Sequence, residues 1–180
     1  QRMLKELSLQ GIPSIIIDYT DGFKKSKLED EFKDALGDKL VQHIVFANKF
    51  PLNPFKKNNI ELDEDLFVPE DDVSVASRFK STVNSVYNLG DQQLNTIYQA
   101  VLRGLNKYGE DMDLTVLKNE LVEDDSQAAG SALNRLNELL DKNPFVSNDF
   151  DWSVLDKHDG KVMIIQLTGL SKDIQRIISE

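Results

Sequence analysis

The stretch Ser14-Ile15-Ile16-Ile17-Asp18-Tyr19-Thr20-Asp21-Gly22-Phe23 constrains the fold more than any other. Consecutive β-branched residues behind Pro13, closing on an acid and then a glycine-containing turn, predict a short strand buried on both faces, as inside a parallel sheet. Asp18 then stands at the carboxyl end of that strand, where open α/β sheets bind ligands, so its carboxylate is the first candidate for a site. A second apolar run, from Val162 through Gln166 and Thr168-Gly169 to Leu170, has the same design near the other end of the chain. The periodicity between the two runs is mostly helical. The reading is therefore an α/β protein with a partial core over 1–50 and 150–180 and a mostly helical insertion over 51–149.

Along the chain, Met3, Leu4, Leu7 and Leu9 mark one apolar face of a first helix that ends at Gly11. This helix has no capping residue before it, which reads as a cut from a longer chain. Leu28, Phe32, Ala35 and Leu36 mark a helix stopped at Gly37, and Leu40 to Ala47 predicts a second strand. Phe50 to Pro69, broken by Pro51, Pro54 and Pro69, reads as an extended surface connection. Helices follow from Asp71 or Asp72, from a cap at Asp91, from a cap at Asp113, and from Ser126 or Ser131. Their leucine stripes predict a small subdomain packing its own core. After Phe150, Trp152 and Leu155, a polar turn leads into the second apolar run, and Ser171 caps a last helix that stops soon after it starts.

Composition narrows the function classes. The 180 residues include no cysteine, which removes disulfides and thiolate metal sites and fits a reducing, cytoplasmic setting. No apolar run reaches the roughly 20 residues needed to span a bilayer. A formal net charge of -10 argues against a surface that grips nucleic acid throughout. Local basic clusters remain: Lys24, Lys25 and Lys27 after the first strand, and Lys49, Lys56 and Lys57 around Asn53-Pro54-Phe55. Both read first as solvated loop charge. His43 and His158 have no second ligand nearby in the sequence, so no metal set is read from them.

Asp18 and Asp21 invite comparison with the haloacid dehalogenase nucleophile loop, whose aspartates stand two residues apart. Here they stand three apart. That spacing points the second carboxylate elsewhere, and no distal Lys and Asp pair completes the set. No Gly-x-Ser-x-Gly elbow is present either.

In its order of elements the chain resembles the HerA and FtsK superfamily of ring-forming, DNA-pumping ATPases. Met3 to Gln10 is similar to the helix after that family's phosphate-binding loop, Ile15 to Phe23 to its Asp-ended strand, and Leu52-Asn53-Pro54-Phe55 to its Asn-Pro turn. Leu89-Gly90-Asp91-Gln92-Gln93 is similar to the entry of its insertion, and Ile164 to Leu170 to its Gly-Leu strand. The wording of the Asp18 to Phe23 turn looks most like the HerA-type ATPases associated with restriction of DNA that lacks phosphorothioate modification.

The resemblance implies part of a RecA-like P-loop NTPase sheet, with ATP and magnesium as cofactors of the full-length protein. It also implies double-stranded DNA and other restriction subunits as partners, in a homo-oligomeric ring. It would place Asp18 and Asp21 near the nucleotide, with Arg135 as a candidate arginine finger, and would offer Lys24, Lys25 and Lys27 as DNA contacts. Bland readings stand beside these: a turn-forming role for Asp21 before Gly22 and a surface salt bridge for Arg135. The sequence holds no Gly-x-x-x-x-Gly-Lys-Ser/Thr, so these residues alone are expected to bind no nucleotide and to lack ATPase activity. Two other classes stay open: a non-catalytic interaction domain with a helical binding lobe, and a small-molecule hydrolase using Asp18.

Overall fold

The structure, a computed structural model, describes residues 1–146 and 159–180. The chain divides into two compact units, Gln1–Phe50 with Phe150–Gln175, and Pro51–Asp149 with Arg176–Glu180. His158, Phe150, Trp152 and Leu155 lie outside the described residues.

In the first unit, α1 (Arg2–Leu9) leads to β1 (Ser14–Asp18), and α2 (Asp30–Leu36) leads to β2 (Leu40–Ile44), which runs into the single turn α3 (Val45–Asn48). The α1 end is closed by two bonds, Gly11 N–H to the Ser8 carbonyl at 3.0 Å and Ile12 N–H to the Leu7 carbonyl at 2.9 Å. This closure needs a left-handed residue, and Gly11 supplies it with φ 77°. β5 (Val162–Gln166) lies between β1 and β2, parallel to both, in the order β1-β5-β2. Ile164 is level with Ile16 on one side and Gln42 on the other. Leu4 of α1 and Phe32 and Leu36 of α2 pack with Val162, Ile164 and Leu28 as one buried cluster, with Ile16, Phe23 and Leu40 at its margin.

β5 is buried along its whole length, whereas β1 is an edge strand in the described sheet. Ile15 and Ile17 are 50% and 37% exposed, so the expectation of a β1 buried on both faces is corrected. A run of isoleucines fits a doubly covered strand, but with β5 as its one neighbour here, burial reaches only the face turned to α1 and α2. β2 likewise stops at Ile44, short of the expected Ala47, because Val45–Asn48 turns into α3.

The second unit departs from expectation at its start as well. The expected loop over Phe50 to Pro69 contains an antiparallel hairpin, β3 (Asn59–Asp63) and β4 (Leu66–Pro69), with a bulge between Glu61 and Asp63. Asp65 makes its tip with φ 64°. Four helices follow: α4 (Asp72–Tyr87), α5 (Asp91–Tyr108), α6 (Leu114–Glu123) and α7 (Gln127–Lys142). Asp71, Asp113 and Ser126 cap α4, α6 and α7, each side chain accepting a backbone N–H three residues on. The cap of α5 is Gly90, one residue before the expected Asp91, and its N–H is met by the Gln93 side chain at 2.9 Å. α5 packs on α4, α6 and α7, and α6 on α7. Ile97, Val101, Leu117, Leu121, Leu136 and Leu139 are fully buried, so the helical lobe does pack its own core. Asn53 is buried and ties its turn to this unit, its Nδ2 donating to the Met112 carbonyl at 2.9 Å. In the first unit, α8 (Lys172–Ser179) begins after the cap expected at Ser171.

Candidate functional site

Of the residues expected to carry chemistry, Asp18, Asp21 and Lys24 meet at the carboxyl end of the three-stranded sheet. Asp18 is the last residue of β1, level with Gln166 at the end of β5. The backbone turns sharply after it, and its carboxylate is what holds the turn. Asp18 Oδ1 accepts the N–H groups of Thr20 at 3.0 Å and Gly22 at 3.2 Å, and Oδ2 accepts that of Phe23 at 2.9 Å. The loop is fixed from the other side by Gln42 of β2, whose Nε2 donates to the Phe23 carbonyl at 2.9 Å.

Asp18 is buried, and burial pushes its carboxyl up. The N–H bonds from Phe23 and Thr20, the nearby Gln166 amide and the Gly22 N–H outweigh that and hold it below the usual carboxylate range. A carboxylate so committed is always ionised near neutrality. It makes a poor general acid, and its lone pairs point into the loop rather than at a substrate. Asp18 therefore acts here as a positioning residue.

Asp21 stands in the left-handed region at φ 64°, a conformation that aspartate tolerates better than most residues. One of its oxygens accepts the Thr168 hydroxyl, and the other pairs with Lys24 at 2.6 Å. The Lys24 and Thr168 hydrogen bonds hold its carboxyl below the ordinary range. The turn-forming role thus belongs to both acids, and the Asp21 carboxylate clips the β1 loop to the loop after β5.

Lys24 is taken up by this clip, while Lys25 and Lys27 are exposed and form no ion pair among the described residues. Arg135 lies on α7, in the second unit, where it donates to the Tyr87 carbonyl at 3.2 Å. His43 is half-buried and meets the Lys49 carbonyl through Nε2 at 2.5 Å.

Sequence reading missed Gln42, Thr168 and Gln166 as members of the site. Gln166 is the most telling, because it is buried and its Nε2 has no hydrogen-bond partner among the described residues. It lies near enough to Asp18 to help stabilise the carboxylate, yet it makes no well-formed bond to it. A buried donor left open costs free energy and is out of place in a purely structural cluster. Its signal in the sequence is the one amide inside the otherwise apolar run Val162 to Leu167.

Among the described residues no group of three or more His, Cys, Asp or Glu side chains is placed to hold a metal ion. The carboxylates are spent on the loop, and the sequence contains neither the glycine-rich cradle nor the lysine that a triphosphate needs. The residues present do not fit a whole nucleotide site; they fix the loops at the sheet's carboxyl end.

No protein-family model matches the chain, and no curated protein matches its sequence. Its fold is similar to the solved structure of VirB4 of Thermoanaerobacter pseudethanolicus, with a TM-score of 0.63 at 14% sequence identity over 98% of this chain and 68% of that one. At that identity the likeness speaks for the fold alone: a mixed α/β arrangement like part of a RecA-like ATPase domain, with a small parallel sheet and many helices.

Proposed function

We propose that the chain is part of a DNA-translocating ATPase subunit of the HerA and FtsK type. The observation that carries this reading is the clipped Asp18 loop beside the open Gln166 amide, at the carboxyl end of a parallel sheet. VirB4, whose fold this chain shares, is a P-loop ATPase of the same broad type. Such sheets bind ligands at this end. In this reading ATP and magnesium bind in a longer polypeptide that supplies the phosphate loop, its lysine and an acidic magnesium strand. Asp18, Asp21 and Thr168 then fix the shape of the loops at the sheet end, and Gln166 presents its amide from the strand end.

The finer assignment is to the DptH type, linked to restriction of DNA lacking phosphorothioate modification. What supports it is the wording Asp-Tyr-Thr-Asp-Gly-Phe at Asp18 to Phe23. The partners that go with it are double-stranded DNA, other restriction subunits and further copies in a ring. Any DNA contact of the first loop falls on Lys25 and Lys27, since Lys24 is paired with Asp21. Arg135 serves a neighbouring nucleotide only if it leaves the Tyr87 carbonyl.

Calorimetry with ATP and magnesium tests the reading, on this chain and on one carrying about 60 further residues at each end, enough for another strand-helix unit on either side. The expected outcome is binding in the longer chain alone, weakened by Gln166→Ala. Binding in neither would sink it and leave the helical lobe as a protein-interaction surface.

A further inference from the structure

We propose that the hairpin β3–β4 docks on the Lys24 to Lys27 loop of a second copy of this chain. Every residue of both strands is exposed, with Leu62, Phe67 and Leu66 at 63%, 55% and 51% and Ile60 and Val68 not far below. Ile60 faces Val68 across the ladder. Between Asn58 and Glu70 the sequence places Glu61, Asp63, Glu64 and Asp65 and no lysine or arginine.

The root of the hairpin is fixed while its blade is bare. Glu70 Oε2 accepts the Asn58 N–H at 2.9 Å and the Arg78 guanidinium at 2.9 Å, and the Glu70 N–H donates to the Asn58 carbonyl at 2.8 Å. Arg78 also donates to the Pro54 carbonyl at 3.1 Å and to the Lys56 carbonyl at 2.8 Å, so one guanidinium gathers both ends. A two-stranded ribbon whose apolar side chains stay so exposed is marginal in water. Held out on a clamped root, with apolar residues rimmed by acids, it has the make-up of a contact surface.

An acidic, apolar blade is complemented by a basic, apolar surface, and this chain carries one. Lys25 and Lys27 are exposed and unpaired among the described residues. The same sheet end exposes Tyr19, Ile44 and Phe46. Phe46 is joined to this loop: it lies against Gly169, the neighbouring Thr168 bonds Asp21, and Asp21 pairs with Lys24. Copies of net charge -10 repel at long range, but salt screens that beyond roughly 8 Å, so the facing patches decide. Hairpin on one copy and loop on the next is a head-to-tail contact, which propagates and can close. The inference rests on the proposed function only for closure into a ring; association itself is read without nucleotide.

Charge exchange tests it. One variant carries Glu61→Lys and Asp65→Lys, the other Lys25→Glu and Lys27→Glu, and association is followed by analytical ultracentrifugation at about 0.05 M and about 0.5 M salt. The wild-type protein is expected to associate more tightly at low salt. Each variant alone should associate at least about tenfold more weakly, as two lost pairs imply, and an equimolar mixture of the two should recover association. A third variant, Leu62→Ser with Phe67→Ser, should lose it at both salts. The inference is overturned by a wild-type protein that stays monomeric to about 0.1 mM, by reversals that change nothing, or by a mixture that stays apart. It also falls if Lys25→Glu with Lys27→Glu loses retention of double-stranded DNA while self-association persists, because the loop then serves DNA. Absence of nucleotide binding in the longer chain would sink the ATPase reading and leave these outcomes intact.

Discussion

The helical lobe and the sheet treat apolar side chains in opposite ways. In α4 to α7 the residues Val75, Val83, Ile97, Val101, Leu117, Leu121 and Leu136 are all fully buried. In the sheet, β5 is just as buried, yet Ile15, Ile17, Val41 and Ile44 on its neighbours are all exposed by a third or more. The chemistry of the residues is the same, so the difference lies in what each element needs from its surroundings. A helix satisfies its own backbone and has one stripe to cover, and in the lobe α4, α6 and α7 pack around α5 to cover it. A strand needs partners on two edges and layers on two faces, and among the described residues only β5 has both. Apolar side chains therefore add stability in the lobe at nearly every stripe position, and in the sheet chiefly along one strand and the face turned to α1 and α2.

That contrast is broken most directly by truncating matched residues. Leu117→Ala should lower unfolding stability by about 3 kcal/mol, the usual cost of emptying a fully buried leucine site. Ile15→Ala, at a half-exposed site, should cost about 1 kcal/mol. Denaturant unfolding of both variants gives the comparison. Equal losses would mean that β1 is covered as thoroughly as the lobe.

What the sheet lacks in apolar cover at its edge it gains in the polar clip at its end. Asp18→Ala leaves the N–H groups of Thr20, Gly22 and Phe23 without their acceptor and should cost about 2 kcal/mol near neutral pH. The folded carboxyl lies below its unfolded value, so its contribution is complete above the ordinary aspartate pKa of about 3.9. It is lost as the pH falls through the depressed folded value. The gap between wild type and Asp18→Ala, measured by denaturant unfolding, should therefore shrink as the pH is taken below about 3.9. A gap that stayed constant on acidification would place the effect in packing rather than in the carboxylate.

The same contrast explains what the sequence makes legible. Helix starts are local chemistry, so Asp71, Asp113 and Ser126 can be read as caps from their neighbours alone. The hairpin is hidden because Pro51, Pro54, Pro69 and the acids between Glu61 and Asp65 resemble a loop, while its one signal, Ile60 and Leu62 answering Leu66 and Val68, is short. At the site, the end of an apolar strand locates Asp18. Its role depends on the path of the next five residues, which no spacing rule fixes. Thr168 is 147 residues from Asp21, and only the parallel pairing of β1 with β5 brings them together. Gln166 could be noticed as an amide in an apolar run, but that its Nε2 lacks a partner is a fact of packing.

An effect as small as that at Ile15 tests whether the lobe depends on polar contacts as the sheet end does. Glu120 of α6 is buried, and it accepts Arg103 Nε of α5 at 3.1 Å and Lys107 Nζ at 2.7 Å. Burial raises its carboxyl, and the bonds from Lys107 and Arg103 more than reverse that. Arg103 and Lys107 are 39% and 49% exposed, so both cations stay hydrated when their partner is neutralised. Glu120→Gln keeps the volume and one acceptor oxygen, and should cost about 1 kcal/mol in denaturant unfolding. A double-mutant cycle with Arg103→Met should then show coupling of the same small size. A loss as large as that of Leu117→Ala would mean that α5 and α6 are held by this ion cluster as much as by their stripes, and the lobe would resemble the sheet end after all.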